Sequence, residues 1–250
     1  ITEGLVGSEM CIRDSSMEYN PKHRRRLRAT KAYDNNTFLN SREARHIRVQ
    51  CEIEEPGMRL QRLGVENMIT FFGSARTKPD TPDYNNAYLL AYKLGQWTKK
   101  HAPTTAISTG GGPGIMEASN RGAFESGAKS IGMGISLPFE QHNNEYITPD
   151  LDFEFHYFFT RKYWCVYLSK AYVMMPGGVG PMDELFEVLT LIQTQKIKQP
   201  KPIVLFGSDF WKKTINFDRM IEQGTINESD LDLFESVSYT HLRAHETFGY

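Results

Sequence analysis

The residues with types and spacing suited to chemistry fall in two stretches. The first runs Pro176-Gly177-Gly178-Val179-Gly180-Pro181-Met182-Asp183-Glu184, a glycine turn that leads into two adjacent carboxylates. The apolar run 171–175 before it reads as a buried strand of a parallel sheet, ended by Pro176. After it, Met182, Leu185, Phe186, Leu189 and Ile192 recur at helical spacing. A glycine turn at a helix N-terminus offers unpaired N–H donors at the positive end of the helix dipole, so Gly177, Gly178, Val179 and Gly180 can hold a phosphate without a lysine. Asp183 and Glu184, expected in the helix's first turn, either offset that dipole or supply a catalytic carboxylate. The second stretch is Thr160-Arg161-Lys162, two adjacent cations at an expected helix start, where they oppose the dipole. Either a nearby acid pairs with them, or Arg161 faces an anion or a catalytic carboxylate in a cleft.

Two further strand ends carry small residues. The strand expected at 68–72 runs into Gly73-Ser74-Ala75-Arg76, with the glycine for close approach and Arg76 for an anion. Arg76 reads equally as a surface loop residue. The strand at 105–108 runs into Thr109-Gly110-Gly111-Gly112-Pro113-Gly114, a second glycine loop opening a helix. Neither loop spells GxGxxG, because Ile115 stands three after Gly112 and Asp183 three after Gly180, and no GxxxxGK[ST] string occurs. A mononucleotide therefore suits these loops better than a dinucleotide or a triphosphate.

The remaining elements must position these loops. A capping-box pair, Asn40 and Glu43, predicts a helix carrying Ala44, Ile47, Cys51 and Ile53 that Pro56-Gly57 ends, with a short helical piece after it. A helix over 83–101 carries Tyr84, Ala87, Tyr88, Ala91, Leu94 and Trp97 as a core stripe. Strands follow at 130–137, 151–159 and 202–206, a polar loop at 138–150, and one last helix at 208–223. Strands alternating with helices predict an α/β fold, a doubly wound, Rossmann-like, mostly parallel sheet with helices on both faces and the ligand at the strands' carboxyl ends.

The 250 residues suit a single domain, read here as 17–236. The terminal stretches 1–15 and 237–250 show no periodicity, resemble translated sequencing-adapter tails, and are set aside as non-native. The basic cluster 22–28 reads as a solvated arm. With 29 Lys and Arg against 30 Asp and Glu, no global field points to nucleic acid or to a membrane surface. Cys11, Cys51 and Cys165 have no metal-ligand spacing, so no metal and a reducing cytoplasm are expected.

Together, FGSAR, TGGGPGIMEASNRGA, FFTRK and PGGVGPMDELFEVLTLIQTQK, in this order from Phe72 to Lys196, resemble the motifs of the LONELY GUY family. These are the cytokinin-activating phosphoribohydrolases and their bacterial nucleotide-hydrolysing relatives, long labelled lysine decarboxylases. The resemblance implies hydrolysis of the N-glycosidic bond of a purine nucleoside 5′-monophosphate, AMP or an N6-modified AMP, without a cofactor, in a homodimer or higher homo-oligomer. It puts Arg161 and Glu184 on the catalytic pair and Gly177 to Gly180 on the phosphate turn. Gly73, Ser74, Arg76, Gly111, Gly112, Lys162, Pro181 and Asp183 complete the expected site. Pro181 stands where the family motif has threonine, which removes a backbone N–H and a hydroxyl from that turn. A module that binds nucleotides without turnover is the alternative. A pyridoxal phosphate decarboxylase is disfavoured, because neither loop contains a lysine.

Overall fold

The computed structural model describes residues 29–137, 142–199 and 201–238. The tail at 1–15, the basic cluster at 22–28 and most of 237–250 lie outside them. The chain divides into two compact units, Ile1–Ala44 and Arg45–Tyr250. In the first, a 3-10 turn, Ala32–Asp34, precedes helix α1 (Asn36–Leu39), whose N-cap Asn35 accepts from the Phe38 amide at 3.1 Å. Asn40 does not open a helix as the capping-box spacing predicts. Its side-chain amide donates back to the Asn36 carbonyl at 2.8 Å, so it closes α1.

The second unit holds α2 (Arg45–Arg62), β1 (Asn67–Phe72), α3 (Pro82–His101), β2 (Thr105–Thr109), α4 (Ile115–Glu125) and β3 (Ser130–Ile135). It continues with β4 (Asp152–Phe155), α5 (Phe158–Tyr167), β5 (Ser169–Met174), α6 (Val179–Gln193) and β6 (Ile203–Phe206). Two short helices, α7 (Ser208–Thr214) and α8 (Phe217–Glu222), a 3-10 turn and β7 (Glu235–Val237) complete it. All seven strands run parallel in the order β4-β3-β2-β1-β5-β6-β7. The chain winds outward from β1 to β4, returns to the other side of β1 as β5, and winds outward again. The winding reverses between β1 and β5, and at such a switch the loops beyond the carboxyl ends part to leave a crevice.

Alternate residues of the central strands feed two cores. Met68 and Phe72 of β1 and Tyr172 and Met174 of β5 join one cluster with Trp164, Leu185 and Val188. Ile69, Phe71 and Val173 join the other with Ala87, Ala91, Ile115 and Ala118. The expected two-faced α/β sheet is therefore present, with α3 and α4 on one face and α5 and α6 on the other.

Several elements differ from the sequence reading. Pro56-Gly57 does not end the leading helix, for α2 runs through it. A proline inside a helix strands the carbonyl four residues back. Here that carbonyl, of Glu52, accepts from Trp164 Nε1 at 2.9 Å, and a Cβ on Gly57 would lie 2.9 Å from the Trp164 ring. The proline frees an acceptor and the glycine makes room for the donor. Trp97 is not core: it is 52% exposed, while Tyr84, Ala87, Ala91, Gly95 and Thr98 form the buried stripe of α3. The strand expected at 151–159 stops at Phe155, and α5 starts at Phe158. The single last helix is two, parted where the Asn216 side chain caps α8 by accepting from the Arg219 amide at 2.9 Å. Strand β7, with Val237 opposite Phe206, went unread because its three residues show no alternating burial.

Helices α3 and α4 touch at backbone distance. A Cβ on Gly122 would lie 2.2 Å from the Tyr88 carbonyl oxygen and 2.8 Å from the Tyr92 nitrogen. Replacing a mid-helix glycine by alanine ordinarily gains up to about 1 kcal/mol of helix propensity. A clash with a neighbouring backbone costs about 1–3 kcal/mol and outweighs it. Gly122→Ala should therefore lower the urea midpoint, and an unchanged or raised midpoint would contradict this packing.

Candidate active site

Glycines bring three strand ends together at the switch. The Ser74 amide donates to the Pro176 carbonyl at 3.1 Å, and the Ile115 amide donates to the Ser74 carbonyl at 3.0 Å, so the loop after β1 is stitched to both glycine loops. A Cβ on Gly73 would lie 2.4 Å from Ile115, and one on Gly114, at φ +70°, 2.4 Å from the Ser74 carbonyl oxygen. A buried network holds the loop after β2. Asn120 accepts from the Thr109 hydroxyl at 2.5 Å and donates to Ser130 Oγ at 2.8 Å, while Asn144 donates to the Gly111 and Gly112 carbonyls at 2.9 and 3.1 Å.

Two adjoining cavities open there. The first, about 480 Å³, is bounded by Gly73, Ser74, Arg76, Gly178, Val179, Gly180 and Pro181, with Arg161 and Glu184 beneath. The second, about 450 Å³, has Met116, Ile135, Phe153 and Phe158 as apolar wall and Asp152 and Glu154 at its edge. Gly110, Met116, Arg161 and Gly180 border both. A Cβ on Gly178 or Gly180 would meet nothing within 4 Å, so these two glycines leave bare backbone facing open space. Helix α6 begins at Val179, and the first amides of a helix have no intrahelical acceptor. Pro181 is the third helical residue and supplies none.

This start moves the two acids. Asp183 and Glu184 lie in the second turn of α6, whose first turn contains no acid, so offsetting the dipole does not explain them. Glu184 is instead 3% exposed. Arg161 Nη2 stands 2.7 Å from its Oε1, with side-chain exposures of 14% and 4%, while Oε2 is buried without a hydrogen-bond partner among the described residues. Burial pushes the Glu184 carboxyl above the ordinary glutamate range, against the opposing pull of Arg161 and Lys162. The misfit of two cations in and just after the first turn of α5 is thus resolved by pairing: Arg161 turns to Glu184 and Lys162 to other acids.

Not every expected residue joins the cleft. Lys162 Nζ is 2.6 Å from Asp183 Oδ2 and 2.8 Å from Glu187 Oε2, on a surface groove with Phe159 and Phe186 that neither cavity includes. Burial would lower the Lys162 ammonium, but the bonds to Asp183 and Glu187 prevail and raise it. Gly111 lines neither cavity; at φ +77° its carbonyl is taken by Asn144. Gly177 lines neither, and a Cβ there would lie 2.4 Å from Pro181 Cγ. Gly112 borders only the second cavity, and Arg76 is exposed at the rim of the first. Gly110, Met116 and Phe158 were missed. Gly110 stood in the glycine string already singled out, whereas the apolar pair gave no signal distinct from core.

A family model described as "Possible lysine decarboxylase" matches residues 116–244, more than half of the chain. The chain belongs to this family. None of the curated proteins compared matches it. Among solved structures, a structural-genomics protein, TM1055, is 18% identical at a TM-score of 0.44, over 73% of this chain and 99% of that one. The molybdenum cofactor binding protein from the phototrophic bacterium Rippkaea orientalis is 18% identical at 0.46, over 72% of this chain and 94% of that one. The Moco carrier protein from Chlamydomonas reinhardtii is 21% identical at 0.43, over 73% of this chain and 96% of that one. The family's label suggests pyridoxal phosphate, which binds through a lysine Schiff base. No lysine borders either cavity among the described residues, so the site does not fit that cofactor.

Removing one partner of a buried ion pair costs about 3–5 kcal/mol, and Arg161→Ala should cost that much stability at neutral pH. The pH dependence follows from Glu184. The folded carboxyl holds its proton to higher pH than the unfolded chain does, so stability linked to it is full below the ordinary glutamate range and lost as pH rises through the raised value. Without Arg161 that rise is larger, so the gap between variant and native chain should narrow on acidification. Urea unfolding at a series of pH values checks this; a pH-independent gap would contradict the pairing.

Proposed function

We propose that the chain hydrolyses the N-glycosidic bond of a purine nucleoside 5′-monophosphate, AMP or an N6-modified AMP, to free base and ribose 5-phosphate. The observation that carries this reading is Glu184, a buried carboxylate with one oxygen held by Arg161 and the other without a hydrogen-bond partner among the described residues, bordering a cleft beside bare helix amides. The 5′-phosphate would sit against the amides of Val179 and Gly180, the ribose over Glu184 and the base in the adjoining apolar cavity. As the bond from the anomeric carbon to the base nitrogen breaks, positive character develops on the ribose. A fixed carboxylate stabilises it and orients the attacking water, whose oxygen bonds to the anomeric carbon as the base leaves with a proton. The roles of Arg161 and Glu184 agree with the catalytic pair that the LONELY GUY resemblance implies.

Pro181 favours a second reading, nucleotide binding without turnover, because it takes a donor from the phosphate turn. Incubation with AMP separates the two: adenine and ribose 5-phosphate appear, or the nucleotide is bound and recovered intact. We also assign a homodimer or higher homo-oligomer, supported by exposed Phe159, Tyr163, Tyr167 and Phe186 on α5 and α6. Sedimentation of the full chain tests that. Cys51 and Cys165 are free, which supports a reducing cytoplasm.

Glu184→Gln keeps the shape and removes the charge, so it should retain AMP binding and lose most turnover; comparable activity would refute the assignment. The acid limb of the pH–rate profile should lie above the ordinary glutamate range, because the ionised form works and burial raises its pKa. Pro181→Thr restores one backbone donor and one hydroxyl. Hydrogen bonds to charged groups contribute about 1.5–3 kcal/mol, so the Kd for AMP should fall by about tenfold or more. Adenosine, lacking the phosphate, should gain nothing, and an equal gain for both would remove the phosphate from this turn.

A further inference from the structure

Helix α5 starts with two cations in or beside its first turn and with no cap of its own, for the N-cap residue Tyr157 makes no side-chain bond to the helix. Glu52 of α2 supplies the cap from outside. Its Oε1 accepts from the His156 amide at 2.8 Å and its Oε2 from the Tyr157 amide at 3.3 Å. The buried Thr160 hydroxyl lies 2.5 Å from the same Oε2 and 2.7 Å from the Tyr157 carbonyl. One turn on, Trp164 Nε1 donates at 2.9 Å to the backbone carbonyl of Glu52, the acceptor stranded by Pro56.

One residue thus holds α5 twice, by side chain at Thr160 and by backbone at Trp164. Those positions are four apart and share a helix face. Two fixed points on one face determine the rotation of the helix about its axis. Arg161 follows Thr160 by one residue, about 100° around that axis, so its direction is set by the same rotation. A turn of about 10° moves a side-chain head 5–6 Å from the axis by about 1 Å, enough to part Arg161 from Glu184.

We propose that Glu52 is a positioning residue: by capping α5 and holding Trp164 it sets the rotation of that helix, and through it the aim of Arg161 at Glu184. Its effect on turnover rests on the hydrolase reading; its effect on the ion pair does not.

The test reads the ion pair directly. In the full chain with 13C-labelled glutamate carboxyls, the resonance lost in Glu184→Gln identifies Glu184, which faces Arg161 and Lys162 of α5 and Glu187 of its own helix. A cation at this range lowers a carboxylate by about 1–3 units, so loosening Arg161 in Glu52→Gln or Glu52→Ala should raise the Glu184 midpoint by about one unit. Deleting a negative charge while Arg161 stays in place would lower it instead, so the sign separates positioning from plain electrostatics. Trp164→Phe keeps the charge of Glu52 but removes the second hold; it should raise the midpoint by less, and serves if the Glu52 variants do not fold. A midpoint unchanged or lowered in the folded variants overturns the proposal.

In turnover of AMP, Glu52→Gln should lower kcat by about tenfold or more with KM within about twofold, and a loss confined to KM also overturns it. If the native chain hydrolyses no monophosphate, the hydrolase reading fails by itself and the titration alone decides the role of Glu52.

Discussion

Taking a carboxylate out of water is costly unless a cation stands against it, and Glu184 is almost wholly out of water. The pair it forms with Arg161 constrains the structure around it. Arg161 must come from α5 and Glu184 from α6, two helices on one face of the sheet joined through β5, so both helices need a defined rotation as well as a defined place. On α6 the rotation follows from the buried stripe of Glu184, Leu185 and Val188. On α5 it follows from Thr160 and Trp164, both tied to Glu52. The carboxyl that results is raised in pKa by its burial, against the opposing pull of the guanidinium beside it.

The same neighbourhood depends on the absence of side chains. The loop after β1 fits between the glycine loops after β2 and β5 only because Gly73, Gly114 and Gly177 admit atoms that a Cβ would displace. Gly178 and Gly180 are different in kind, since a Cβ there would meet open space. The first three are explained by packing, whereas packing does not require the last two, which border the first cavity. A glycine string in the sequence does not separate these uses, which is why Gly111, pinned by Asn144, read like its neighbour Gly112 that borders a cavity.

The order of strands and helices, and the loops that carry the site, were legible in the sequence because they rest on local features. Apolar runs ended by glycine and proline mark buried parallel strands, and the helices after them keep a helical period. The two glycine loops, the adjacent acids and the arginine–lysine pair were visible for the same reason. At Pro56 and Trp97 the reading failed because a contact distant in sequence had changed the local rule. Pro56 ends a helix by local chemistry, but Trp164 satisfies the carbonyl it strands, 112 residues away in sequence. Trp97 has the period of a core residue, but the buried stripe of α3 continues instead through Gly95 and Thr98, where a Cβ on Gly95 would lie 2.2 Å from Ser126 Oγ, and Trp97 stays exposed.

The sequence by itself determined the sheet class, the strand ends that border the candidate cleft, and the residue types available there, since all of these follow from period and turn chemistry within a few residues. Only the tertiary structure decided which cation meets which acid. Arg161 and Lys162 are neighbours, as are Asp183 and Glu184, and no spacing says how they pair. One residue along a helix is a rotation of about 100°. That rotation sends Arg161 and Glu184 into the cleft and leaves Lys162 and Asp183 on a groove outside it, and it is fixed by packing and hydrogen bonds from elements far away in the chain.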